Sequence, residues 1–132
     1  MHQIGEAADS VGLSLRTIRH YEEVGLVLPS GRTAGGFRLY TDQDIDRLRL
    51  VRHMKPLEFS LEEMRDLLGV RDQLAGSPDD SERKSLAERL GMYAAAAEQR
   101  CEKLRDQLEA VTAVASMLSR EASGKRPSGV KT

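Results

Sequence analysis

A chain of 132 residues that is 39% hydrophobic and 31% charged holds one small domain plus an extension, and too little apolar material for two full cores. With two Phe, three Tyr and no Trp, a deep ligand pocket is not expected within one copy, and oligomerisation is the expected source of further buried area. The net charge of −1 excludes a protein coated in nucleic-acid-binding charge, and no apolar run suggests a membrane anchor or a secretory leader. The single cysteine, Cys101, excludes an internal disulfide and a cysteine cluster for structural zinc. A cytoplasmic, reducing setting is expected.

Taken in order, Ile4, Ala7, Ala8 and Val11 recur at i, i+3, i+4, i+7 and predict a short first helix over residues 4–11. Gly12 to Ser14 turn the chain. Ser14 can cap a second helix of about ten residues that Gly25 ends by adopting the left-handed conformation. Leu15 and Ile18 are expected on its inner face, with Arg16, Arg19, His20 and Glu23 on another. Helix, three-residue turn and helix make a helix-turn-helix unit. In that geometry Arg16 and Thr17 are the best-placed base readers, with Arg19, His20 and Tyr21 nearer the DNA backbone. Two short capped helices carrying surface arginines also occur in proteins that bind no DNA, so this segment alone leaves both readings open.

Residues 27–40, VLPSGRTAGGFRLY, change character. Pro29 and Gly31 break the helix, Gly35 and Gly36 suit a hairpin turn, and Phe37 to Tyr40 alternate as a strand does. A two-stranded wing is expected, with Arg32 and Arg38 on opposite strands and able to reach phosphates. The competing expectation is that Arg38 pairs with a nearby carboxylate and that Tyr40 packs in the core. Thr41 with Asp44, and Ser60 with Glu63, are helix-starting patterns. The first opens a helix to about Met54 with Ile45, Leu48 and Val51 buried and Arg49 and Arg52 flanking. The second opens a helix with Leu61, Met64, Leu67 and Leu68 on its apolar side. Between Ser14 and Lys55, Arg16, Arg19, Arg32, Arg38, Arg47, Arg49, Arg52 and Lys55 face only Glu22, Glu23, Asp42, Asp44 and Asp46. This local excess is mainly arginine, which suits paired bonding to phosphate and guanine.

These blocks, IGEAADSVGLSLRTIRHYEEVGL at 4–26, GGFRLY at 35–40, DIDRLRLVRHM at 44–54 and LEFSLEEMRDLL at 57–68, resemble the MerR family of bacterial transcriptional regulators. The resemblance covers about the first half of the chain. One departure is Glu58, where the family commonly has glycine, and it bears on the linker conformation. The resemblance implies a dimer that binds between promoter elements spaced too far apart for RNA polymerase. Such a dimer bends and untwists the DNA when activated, which realigns those elements.

Ala75 to Pro78 mark a boundary, with Ser77, Pro78 and Asp80 resembling a further helix start. From about Asp79 to Ser119 no proline occurs, and Leu90, Ala94, Ala97, Cys101, Leu104, Leu108, Val111, Ala115 and Leu118 alternate spacings of four and three. This heptad stripe predicts a coiled-coil helix about 60 Å long that a second copy covers, hence a homodimer. Its first half is small and its second half large, so antiparallel pairing about Leu104 gives the more even packing, in agreement with what the family resemblance implies. The expected architecture is therefore mainly α: a winged helix-turn-helix DNA-binding domain over 1–75, a dimerisation helix in an antiparallel coiled coil over 76–120, and a disordered, polar tail over 121–132.

The expected DNA-binding residues are Arg16, Thr17, Arg19, His20, Tyr21, Arg32, Arg38, Tyr40 and Arg52, and the expected partners are double-stranded promoter DNA, a second copy and RNA polymerase. No cofactor or metal is expected. Metal-sensing relatives place cysteines at the start of the dimerisation helix and after it, where this chain has Ser77, Ser81 and a cysteine-free tail. His2, His20 and His53 lie elsewhere. Cys101 is read as a small apolar residue at a heptad position rather than a redox sensor. The effector is not legible. An enzyme is not expected, for want of a nucleophile and base set or a glycine-rich phosphate loop after a strand. The alternatives are an architectural or excisionase-like DNA-binding protein, which has no need of the heptad helix, and a constitutive repressor without an effector.

Overall fold

The computed structural model describes residues 1–124. Strand β1 (His2–Gln3) leads into α1 (Ile4–Val11) and α2 (Leu15–Glu23), followed by β2 (Gly31–Arg32), β3 (Arg38–Tyr40), α3 (Asp42–Met54), α4 (Leu61–Ala75) and α5 (Asp80–Ala122). Compact units span Met1–Ala94 and Ala95 onward. Helix α5 crosses the expected boundary of order at residue 121, and the rest of the expected tail, from 125, lies outside the described residues.

Each helix of the first unit starts where a side chain satisfies free backbone N–H groups. Gln3 and Glu6 form a reciprocal capping box on α1, and Ser14 Oγ accepts from the Thr17 amide at 3.1 Å. Thr41 with Asp44 and Ser60 with Glu63 cap α3 and α4 in the same reciprocal manner. The cap of α5 is Asp79, whose Oδ1 accepts from the Glu82 amide at 2.8 Å, one residue before the start expected from Asp80. Helix α4 also runs on well past Leu68, with Val70 buried at 1% exposure.

The core is filled by Val11, Ile18, Tyr21, Val27, Tyr40, Leu48, Val51 and Val70. Helix α2 faces it with Ile18 and Tyr21, whereas Leu15, expected on that face, is 40% exposed. Leu15 is the first residue of α2, immediately after the Ser14 cap, and Tyr21 takes the place on the buried face one turn beyond Ile18. The wing has three strands, not two. Strand β1 joins it in the order β1-β3-β2, all antiparallel, with His2 opposite Tyr40 and Arg32 opposite Arg38. Two residues of β1 are too few to show alternation, so their pairing was not legible locally.

Asp44 is the one charged side chain buried among the described residues, at 2% exposure. It accepts hydrogen bonds from Ser30 Oγ, from the Thr41 amide at 3.0 Å and from Arg47 Nη1 at 3.1 Å. Arg47 also donates to Asp72 on α4 at 2.6 Å. After α3 a 3-10 turn at Lys55–Leu57 ends in Glu58 at φ 60°, ψ 31°. Here the departure from the family's glycine is resolved: a non-glycine residue occupies the left-handed conformation itself. Within the first unit the start of α5 packs on α4 through buried Leu86, an Arg89 bond to Asp66 and a 2.6 Å bond from the Tyr93 hydroxyl to Asp66. That bond, more than burial, pushes the Tyr93 pKa up to about 12.

Two stability measurements follow from this geometry. Asp44→Ala leaves its donors without a buried acceptor and is expected to lower unfolding free energy by about 3 kcal/mol, read as a lower urea midpoint; an unchanged midpoint contradicts the role given to this carboxylate. The left-handed conformation costs a non-glycine residue roughly 1–2 kcal/mol, and glycine's freer unfolded chain offsets about 0.5–1 kcal/mol of the relief. Glu58→Gly is therefore expected to raise stability by up to about 1 kcal/mol, and a lower midpoint contradicts the backbone assignment.

Candidate nucleic-acid interface

The local arginine excess divides once the chain is folded. Arg47 pairs with Asp44 and Asp72, and Arg49 pairs with Asp46 at 3.0 Å. On the wing, Arg32 Nη2 reaches Glu22 Oε1 at 3.1 Å while Arg38 Nε donates to Glu22 Oε2. Arg32 also donates from Nη1 to the Gly36 carbonyl at 3.1 Å, which closes the hairpin turn. Both competing expectations for Arg38 and Tyr40 thus resolve toward the fold: Arg38 is paired with a carboxylate.

Tyr40 is fully buried at 0% exposure and Tyr21 is at 2%, so neither ring presents a surface to a nucleic acid. This corrects their placement among the DNA contacts. The physical reason is supply: with so few aromatic residues, the domain's core uses both rings as filling. Their hydroxyls have no hydrogen-bond partner among the described residues. For Tyr40, burial first and the Glu22 charge second push the phenol pKa above its usual value.

Arg52 is exposed as expected, but one terminal nitrogen is committed to the fold. Its Nη1 donates to the Val11 carbonyl at 2.7 Å, satisfying the open end of α1. Gly12 makes room for that contact. At φ +70° it already needs glycine, and a Cβ built there would lie 2.7 Å from Arg52 Nη1. Arg65 on α4 donates similarly to the Val24 carbonyl at the end of α2. Ser14, Arg52 and Arg65 therefore fix the helix-turn-helix from outside its own hydrogen bonds.

The cations left without an ion pair among the described residues include Arg16, Arg19 and Lys55. They come together. A surface groove of about 770 Å³ is lined by Arg16, Thr17, Arg19, His20, Glu23 and Lys55. Arg16, Arg19 and His20 are exposed and Thr17 is half-buried, its Oγ1 sharing a 2.8 Å hydrogen bond with the Ser14 cap. Lys55, counted in the local charge excess but not assigned to the site, enters from the end of α3, with Nζ 5.6 Å from the centroid of the Tyr21 ring, a proximity that no local pattern in the sequence shows. Phe37, at the tip of the wing, is 65% exposed and is a second exposed feature that the motif reading passed over.

Along α5 the expected dimer residues divide as well. Leu90, Ala97 and Cys101 are half-buried and Ala94 is exposed. Leu104, Leu108, Val111 and Leu118 are 39%, 63%, 61% and 55% exposed, and Ala115 is exposed too. Val114 and Met117, at 49% and 37%, broaden this apolar stripe. No helix among the described residues is long and apolar enough to cross a membrane.

Comparison with known proteins agrees with this arrangement. The family model described as "MerR HTH family regulatory protein" matches residues 3–69, and the one described as "MerR, DNA binding" matches residues 45–120. The HTH-type transcriptional regulator ZntR of Escherichia coli (strain K12) is 46% identical over 71 residues, 54% of this chain and 50% of that protein. The mercuric resistance operon regulatory protein of Bacillus cereus is 45% identical over 71 residues, 54% of each chain. The alignments thus span about half the length of these relatives. Among solved structures, that of HiNmlR, a MerR family regulator lacking the sensor domain and bound to promoter DNA, superposes with a TM-score of 0.63 at 25% identity, covering 94% of this chain and 95% of that one. From the first residues of the wing sheet to the last turns of α5, the matched segments leave one assignment, and the chain belongs to the MerR family of helix-turn-helix regulatory proteins.

Proposed function

We propose that this protein is a transcriptional regulator that binds a two-fold symmetric site in double-stranded promoter DNA as a homodimer. The observation that carries the reading is the partition of charge: within the helix-turn-helix unit, Arg16 and Arg19, without ion pairs among the described residues, line one groove with Thr17 and Lys55. Arg16 and Thr17, in the first turn of α2, read base edges. Arg19, His20 and Lys55 position the helix against phosphates. The wing arginines and the second terminal nitrogen of Arg52 add further phosphate contacts.

The second copy covers the exposed apolar stripe of α5, from Leu90 to Leu118, and antiparallel pairing about Leu104 places Ala97 against Val111 and Cys101 against Leu108 of the partner. Large against small gives a uniformly filled seam. Regulation proceeds by distortion of DNA between promoter elements, with RNA polymerase as the downstream partner. Bending a site of this size costs on the order of a few kcal/mol, which many charge-assisted phosphate contacts offset. Some relatives are named for heavy metals. The donor set here does not fit a thiolate metal site: one cysteine is present, and the described residues contain no group of three or more His, Cys, Asp or Glu that could hold a metal ion.

Binding to a selected symmetric operator tests the reading directly. Arg16→Ala is expected to cost about 1–3 kcal/mol and relax base preference, while Arg38→Ala weakens all sequences alike and flattens the salt dependence. Parent-like binding by both variants contradicts the interface. Footprinting combined with transcription assays separates regulation from an architectural role, since protection without any change in promoter output indicates the latter.

The dimer is tested separately. Light scattering is expected to give twice the chain mass, and Leu108→Glu to give the monomer. In the proposed register two Cys101 residues lie about 10 Å apart along the helix axes, beyond disulfide reach. Efficient oxidation to a Cys101-linked dimer contradicts that register.

A further inference from the structure

Glu22 stands apart from the other acidic residues near the DNA-facing surface. It lies in the last turn of α2, its side chain is only 18% exposed, and its two oxygens hold two different guanidinium groups. Those groups belong to the two strands of the wing at directly opposed positions, Arg32 and Arg38. Two arginines facing each other across an antiparallel pair repel. The carboxylate resolves that repulsion by giving one oxygen to each guanidinium, and a phosphate, with its several charged oxygens, can bridge two arginines in the same way.

The triad therefore carries a net charge of +1, where the wing taken alone carries +2. Since sequence-independent affinity for DNA follows the number of phosphates a protein neutralises, this difference falls on that part of the affinity, for the operator and unrelated DNA alike. Base reading resides elsewhere, in the groove lined by Arg16 and Thr17.

We propose that Glu22 is a positioning residue that acts as an internal phosphate mimic. It holds the two wing arginines in place and cancels one of their charges, which limits the sequence-independent part of DNA affinity while leaving the base-reading contacts unaffected. Arg38 is bound through Nε, so its terminal nitrogens remain the donors with which the wing engages a phosphate of the true site. This inference rests on the DNA-binding reading above.

The test is the salt dependence of binding to a duplex of unrelated sequence, followed by fluorescence anisotropy, for the parent, Glu22→Gln and the double variant Glu22→Gln with Arg38→Gln. Glu22→Gln raises the triad to +2. It is expected to steepen log K against log salt by about 0.9 and to tighten nonspecific binding about eightfold at 0.1 M salt, taking the gain to vanish near 1 M. Operator binding is expected to tighten by a similar factor, because a phosphate contact acts on all sequences alike. The double variant restores +1 and is expected to show the parent's slope.

A Glu22→Gln variant with the parent's slope, or with weaker nonspecific binding, overturns the proposal. So does a double variant whose slope is shallower than the parent's by about 0.9, because that result means both arginines reached phosphate in spite of Glu22. The double variant decides the matter even where Glu22→Gln alone fails to fold, which far-UV circular dichroism reports. A parent that binds neither the operator nor unrelated duplex sinks the DNA-binding reading itself, whereas a binding parent with insensitive variants sinks only the role of Glu22.

Discussion

The arrangement of the first unit depends on one buried carboxylate. An ionised side chain withdrawn from water is tolerated only when its hydrogen-bonding capacity is filled, and Asp44 is filled from separate parts of the chain. Ser30 comes from the loop that enters the wing, the Thr41 amide from the start of α3, and Arg47 from one turn further along that helix. Arg47 then reaches Asp72 of α4. A shift of the wing or of α4 relative to α3 leaves this carboxylate without a donor. The hydrophobic contacts around it, which are nondirectional, do not impose such a register. The loop that enters the wing is thereby tied to α3 within the fold itself.

The recognition helix is held by the same kind of chemistry at its two ends. Its start is capped by Ser14, and the preceding turn is secured by the bond from Arg52 to the Val11 carbonyl. Its last turn receives Arg65 at Val24 and carries Glu22, which ties it to the wing. Ile18 and Tyr21 bury one side. A short helix of nine residues is marginal in isolation, so its order derives from these anchors. For the proposed function, the groove side, with Arg16, Thr17 and Arg19, is presented in a fixed orientation, which is what discrimination by paired hydrogen bonds to base edges would require.

The sequence was informative where the signal is local and periodic. Capping patterns at Ser14, Thr41 and Ser60 and the apolar spacing of α1, α3 and α4 depend on neighbours within one or two turns, and these elements lie where the pattern placed them. Long-range pairing was less legible. Strand β1 is defined only by its partner 38 positions later at Tyr40. Lys55 enters the groove through a contact with Tyr21 far from it in sequence, and Tyr21 and Tyr40 exchange an expected surface role for the core because the chain has few other large rings to place there. Charge was legible as a local excess, but not as a partition. Counting arginines does not reveal that Asp44, Asp46 and Asp72 tie up Arg47 and Arg49, or that Glu22 holds both wing arginines.

That partition limits what the heptad helix has to accomplish. Within the first unit, Arg89 and Tyr93 on α5 meet Asp66 on α4, Phe59 packs edge-on to Tyr93, and Leu86 is buried. Helix α4 is joined in turn to α3 through Asp72 and Arg47, and α3 to the wing through Asp44 and Ser30. Packed side chains and charge-assisted bonds therefore run from the loop entering the wing, through α3 and α4, to the start of α5. In the proposed dimer a change of register by one heptad slides one copy of α5 past the other by about 10 Å. The uneven seam, small at Ala94 and Ala97 and large at Leu104 and Leu108, disfavours such a slip, since displaced pairing sets large against large and leaves voids beside the small residues.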